Sequence, residues 1–212
     1  MINSVPLLYK ENNENERFHL NYVFDMGTDH NKKLKLAVDY LKYLGTETIS
    51  SSKKLEEFYK LGCDLSVNTS SNTTKISLTG LSDNFEESVR LLENILSNVI
   101  ADEDALLNLK ATYEKQKSDA KLNKQIIFFT AMTSYARYGK NSSFTNTLSK
   151  EELNSITSAE LLNIIHNLTK NDHRILYYGP DGISDVKQLM LESHNNSNLI
   201  PIEEKDLNIE KD

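Results

Sequence analysis

The sequence predicts an α+β domain, a two-layer sandwich in which helices pack on one face of an antiparallel sheet. Three observations carry this. Phe18, Leu20, Tyr22 and Phe24 alternate with His19, Asn21, Val23 and Asp25, the period of two of a strand with one buried face. The runs Leu65–Val67 and Thr74–Thr79 flank a polar stretch, Asn68–Asn72, as in a β-hairpin, whose strands pair antiparallel. Phe85, Val89, Leu92, Leu96 and Val99 recur at helical spacing, and an amphipathic helix needs a second layer to cover its apolar face.

The remaining elements follow in chain order. Val5 to Tyr9 is short and apolar, a first strand joined to the second by polar residues 11–16. Apolar residues at helical spacing from Asn31 to Leu44 predict a helix stopped by Gly45, and Leu55, Phe58, Tyr59 and Leu61 a second one closed by Gly62. Asp83 and Glu86 have the spacing of a capping box for the helix that holds Phe85. Further helices are expected over 103–121 and over Gln125–Tyr138, the latter with Ile126, Phe129, Met132 and Tyr135–Ala136 as its apolar face. Lys140 to Thr147 reads as a polar loop. Ser149/Glu152 and Thr157/Glu160 are two more capping boxes, the second opening a helix with Leu161, Ile164, Ile165 and Leu168. Arg174 to Tyr178 is a strand ended by Gly179-Pro180, and Ile183 to Leu191 a last helix. Residues 1–192 are therefore read as one domain. Residues 193–212, polar and without period, read as a linker or tail toward a following domain.

Composition narrows the function. At 212 residues and 38% hydrophobic, the chain can bury a real core. A formal charge of -7, with Lys and Arg interleaved among Asp and Glu, disfavours nucleic-acid binding, which needs a basic face. No stretch approaches the ~20 apolar residues that span a bilayer, and residues 1–12 lack the basic-then-apolar pattern of a signal peptide. The single cysteine, Cys63, allows no internal disulfide and reads as a small buried hydrophobe. It fits a reducing compartment without excluding the periplasm.

The order of these elements and several phrases resemble the repeated domain of the M16 family, the pitrilysin and insulinase zinc peptidases. The phrases run from Phe18-His-Leu-Asn-Tyr-Val-Phe-Asp-Met-Gly27 and Leu36-Ala-Val-Asp-Tyr-Leu-Lys-Tyr-Leu-Gly-Thr46 to Leu55-Glu-Glu-Phe-Tyr-Lys-Leu-Gly-Cys-Asp-Leu-Ser-Val67. They continue with Leu78-Thr-Gly-Leu81 and with Ser149 through Gly179. The resemblance implies the fold of LuxS and the M16 metallopeptidases. In catalytic members, the first helix carries His-x-x-Glu-His shortly before a Gly-Thr. Two histidines four apart lie on one helical face and grip zinc, and the glutamate takes a proton from the metal-bound water.

Anchored on Gly45-Thr46, the corresponding positions are Leu36, Asp39 and Tyr40. Leucine cannot ligate zinc, and tyrosine is a poor substitute for imidazole. The region of the third ligand falls near Glu114-Lys-Gln116, where the carboxylate of Glu114 is more simply read as a solvated helix residue. His19, His30, His166, His173 and His194 offer no pair three or four apart. His19 is expected exposed, and His166 inside an amphipathic helix at the boundary of its apolar face. His173 is expected to open a strand, and His30 and His194 to lie in polar stretches. The Arg-Tyr pair at 137 and 138 reads as a helix end.

The resemblance thus implies a non-catalytic domain, similar to the third of four repeats, with no catalytic residue and no metal of its own. Zinc belongs to the catalytic domain of the parent, a metalloendopeptidase. The expected partners are other M16 domains of the same chain and peptide enclosed in the parent's chamber. A second reading makes the chain part of a non-catalytic subunit that pairs with a separate zinc-bearing subunit. A third, resting on Tyr113, Tyr135, Tyr138, Tyr177 and Tyr178, is a self-standing interaction module. The parent is expected in the bacterial periplasm or cytoplasm.

Overall fold

The computed structural model describes residues 1–139, 142, 146–194 and 198–203. Most of the loop expected over Lys140–Thr147, and most of the tail expected over 193–212, lie outside the described residues. Five strands form one sheet: β1 (Leu7–Glu11), β2 (Arg17–Phe24), β3 (Asp64–Thr69), β4 (Thr74–Leu81) and β5 (Arg174–Gly179), in the order β1-β5-β2-β4-β3. The pairs β3–β4, β4–β2 and β2–β5 are antiparallel, as the hairpin signal predicts. The edge pair β1–β5 is parallel, so the sheet is mixed rather than wholly antiparallel. No periodicity encodes that pairing, because the two strands lie at opposite ends of the sequence. The first strand also starts two residues later than expected, beyond Pro6, whose carbonyl accepts from the Ile175 amide at 2.9 Å.

One face of the sheet is dry. Phe18, Leu20, Tyr22 and Phe24 of β2 and Ile76 and Leu78 of β4 are buried, as are Ile175 and Tyr177 of β5. The register sets them side by side, with Leu20 opposite both Leu78 and Tyr177. The other face is partly wet, with His19 exposed and stacked on Tyr178.

The helices that cover the dry face are α1 (Leu34–Leu41), α3 (Phe85–Asn98), α7 (Ser158–His166) and α8 (Ile183–Ser193). Between them run α2 (Ser51–Lys60), α4 (Glu103–Leu122), α5 (Met132–Tyr138) and α6 (Lys150–Ser155). Both capping boxes expected in the second half are formed: Ser149 and Glu152 open α6, and Thr157 and Glu160 open α7. The box expected at Asp83 and Glu86 is absent. Ser82–Asn84 forms a turn of 3₁₀ helix that occupies the cap position, and the Ser82 hydroxyl donates instead to Asp181 at 2.6 Å.

The largest departure lies in the segment 123–138. A turn of π-helix, Ile126–Ala131, leads into α5. Phe129, Met132 and Tyr135, expected on the apolar face, are each more than half exposed, as is the neighbouring Phe128, so among the described residues that face is largely uncovered. The side chain of Ile126, assigned to the same face, lies outside the described residues. Among the described residues no helix is long and apolar enough to cross a membrane.

Candidate functional site

The three positions set by the resemblance to the zinc motif all lie on α1. Leu36 and Tyr40 point into the core and are wholly buried. The Tyr40 hydroxyl donates to the Asp102 carbonyl and accepts from the Asp102 amide, both at 2.8 Å, so it is fully engaged at the entrance of α4. Asp39 lies at the surface between Lys35 and Lys42, at 3.0 and 2.7 Å. Hydrogen bonds and charge from those two ammonium groups outweigh partial burial, which alone would raise its pKa, and hold the carboxyl below its usual range. Glu114, on α4, is partly exposed with Lys150 at 3.8 Å. Leu36 carries no donor atom and Tyr40 has none to spare, so these positions do not fit a zinc ion. Among the described residues no group of three or more His, Cys, Asp and Glu is placed to hold a metal.

The histidines are not scattered as their spacing suggests. His19 is exposed, and His166 sits at the end of α7 within 2.9 Å of the Val99 carbonyl. His173, expected to open a strand, and His194, expected in a polar stretch, are both buried and touch through their Nε2 atoms at 2.9 Å. The five tyrosines do not form one surface: Tyr177 is in the core while Tyr135 is exposed.

Beside α1 an open groove of about 430 Å³ runs between α2 and the outer edge of the sheet. Its floor is β3, and its wall includes Leu41, Leu55, Phe58 and Tyr59. The edge strand β3 pairs with β4 on one side only. Among the described residues, the backbone of Leu65–Asn68 has no other backbone partner. Such an edge is a template for another extended segment, and Leu55 and Tyr59, both well exposed, offer apolar contact beside it.

The groove is held open by α2, and the sequence fixes that helix at both ends. Ser50 accepts from the Lys53 amide at 3.2 Å at the start. At the end Gly62 takes φ +63°, with Gly62 N–H on Tyr59 O and Cys63 N–H on Phe58 O, a Schellman motif. Lys54 reaches back from α2 and donates to the carbonyls of Leu41, Lys42 and Leu44 at 2.7–3.2 Å, so its ammonium caps the C-terminus of α1. Its burial draws the Lys54 pKa down to about 8. Cys63, at the end of the groove, is half-buried rather than a fully buried hydrophobe. Its Sγ lies 2.8 Å from the Ser88 hydroxyl, and burial raises the thiol pKa, so it is no thiolate at neutral pH.

No protein-family model and no curated protein matches the chain. Solved structures do. The M16 peptidase inactive domain of Pseudomonas fluorescens superposes with TM-score 0.76 over 90% of this chain and 48% of its own, at 19% identity. This is the fold of the M16 peptidase domain. The ferredoxin protease FusC, solved with Arabidopsis ferredoxin, aligns over 98% of this chain and 23% of its own, with TM-score 0.81 and 14% identity. The periplasmic protease PqqL of Escherichia coli aligns over 93% and 22%, with TM-score 0.70 and 16% identity. The chain therefore spans about half the length of the first and under a quarter of the other two. Within this fold the inward positions of α1, Leu36 and Tyr40 among them, are buried in the core.

Proposed function

We propose that the chain is a non-catalytic domain of an M16-type zinc peptidase and works as part of the wall of a peptide-enclosing chamber. The observation that carries this is the bare apolar face of 128–135. Phe128, Phe129, Met132 and Tyr135 are too exposed for a segment that ends its role in this chain, and apolar patches of this kind are covered by a partner. The partner in this reading is another M16 domain, which supplies the zinc site that α1 cannot build. It sits either on the same chain, as in a four-repeat parent, or on a zinc-bearing subunit. The groove along β3 gives extended peptide an edge to pair with, without chemistry of its own.

A photo-cross-linking side chain at Tyr135, placed in the full natural protein, tests the proposal. The expected product joins Tyr135 to a second M16-fold domain, and whether it is intramolecular or intersubunit separates the two arrangements. Retention of Tyr135 as a free surface group in the native assembly would reject the docking role. A second arm measures the purified chain with added zinc: no chelator-sensitive peptide cleavage is expected, and cleavage that purifies with the chain would overturn the non-catalytic assignment.

A further inference from the structure

Away from the groove, polar side chains from four elements meet inside the core. They are Tyr22 of β2, Glu93 of α3, His173 just before β5, and His194 where the chain leaves α8. His194 is fully buried and His173 nearly so. The contacts form a line. His173 Nδ1 lies 2.7 Å from the Asn171 carbonyl, and His173 Nε2 lies 2.9 Å from His194 Nε2. His194 Nδ1 lies 2.9 Å from Glu93 Oε1, which also accepts from the Tyr22 hydroxyl at 2.5 Å.

The line fixes a proton count. A carbonyl only accepts, so His173 Nδ1 carries hydrogen. The contact between the two Nε2 atoms holds one hydrogen, since two would collide and none would set lone pair against lone pair. The contact between His194 Nδ1 and Glu93 holds one for the same reason, and Tyr22 keeps its own. Two neutral imidazoles and a carboxylate carry one hydrogen fewer than this arrangement requires. With the additional one the cluster has no net charge, whether it is written as an imidazolium beside a carboxylate or as imidazole beside a carboxylic acid. Without it, a buried anion would face an acceptor.

We propose that His173, His194 and Glu93 together hold one proton beyond their neutral-imidazole, ionised-carboxylate complement at neutral pH, a loaded clamp that fastens the end of α8 to the sheet. The clamp slackens when alkaline pH removes that proton. The ring of Phe24 stacks on His173 and that of Tyr22 packs on His194, with centroids 4.8 and 4.9 Å apart, which shields the line from water. Burial keeps His173 neutral down to about 4 and holds the Tyr22 hydroxyl well up, so neither titrates near neutrality.

The charged groups around the cluster come from every packed element. Asp172 adjoins His173, and Asp25, Arg174 and Glu203 line the small cavity beside it, with Arg174 paired to Asp25. Arg90 of α3 joins Glu192 of α8 at 3.2 Å on the outside. None of these bonds to the line itself among the contacts described. The chain beyond α8 feels the clamp too, because Ile200 exchanges backbone hydrogen bonds with Lys170 and Asp172, next to His173.

Ring ¹⁵N and Glu93 carboxyl ¹³C shifts of the unaltered chain at pH 7.5 read the count directly. Three protons shared among the two rings and the carboxyl are expected, with a scalar coupling between the two Nε2 atoms. Two protons would overturn the proposal. The pH dependence of unfolding gives an independent reading. Above pH 7.5 the unfolded chain lacks the additional proton, so it weakens folding by about tenfold per pH unit until the folded clamp loses it. Glu93→Gln removes the need for that proton, since an amide nitrogen in the place of Oε1 can donate one hydrogen to His194 Nδ1 and the other to the Tyr22 oxygen. The variant is expected to lack that tenfold component, and an unchanged slope would overturn the proposal.

Discussion

His173 shows how far a single residue's surroundings can move it. Its ring is almost sealed from solvent, and desolvation, with the His194 ring adding to it, lowers its pKa from the ordinary 6.5 to about 4. Between those values the unfolded chain binds the proton and the folded chain does not. Stability is therefore lost as pH falls from 6.5 toward 4, by about 3 kcal/mol over the whole window. Denaturant unfolding at pH 7 and pH 4.5 checks this. His173→Gln, which cannot titrate, is expected to reduce that loss by the same amount. Nothing in the residue order points to the partner of His173. His173 and His194 lie on either side of α8, and no helical or strand spacing links them. By contrast, that Leu36 and Tyr40 carry no imidazole is plain from residue type alone, whatever the fold.

At the scale of the element, caps are legible where the side chain and the backbone it serves are neighbours. Ser149 and Thr157 each form their box, with the paired glutamates at 2.7 and 3.1 Å from the cap amides. Asp83 failed because the 3₁₀ turn moved the helix start past it, a backbone choice that residue type alone does not reveal. Gly62 was legible as the stop of α2, and its positive φ gives the reason: an L side chain there is strained. Gly62→Ala is expected to cost about 1 kcal/mol. Nothing lies within reach of an added methyl at this position, so the loss reports backbone strain rather than a clash. Thermal unfolding measures it.

For the molecule as a whole, the sheet and its dry face followed from alternation, while the bare 128–135 face did not. Helical spacing shows that a face is apolar, not whether this chain or another covers it. Gly27 is a second case. It reads as the end of a strand, yet in the fold it lets the hairpin tip press against the chain after β2. Thr28 and Asp29 donate there to the carbonyls of Ser70 and Ser71 at 2.9 and 2.8 Å. A methyl on Gly27 would fall 2.4 Å from the Ser70 carbonyl oxygen, a backbone atom that cannot turn aside. Gly27→Ala is thus expected to lower stability by about 2 kcal/mol or more, visible as a shifted denaturation midpoint, with faster amide exchange at Thr28 and Asp29.

The parallel pair β1–β5 also sets a timetable. Leu7, near the start of the chain, finds its partner only at Ile175, so the first strand stays unpaired until almost all of the domain has left the ribosome. β2 cannot fill its inner edge earlier either, because the same late strand lies between it and β1. Contacts closed across such long stretches of chain slow folding and leave apolar strands open to the wrong neighbours while they wait. β2, β4 and β3, with the helix between β2 and the hairpin, can pair early, whereas β1 and the inner edge of β2 wait for β5.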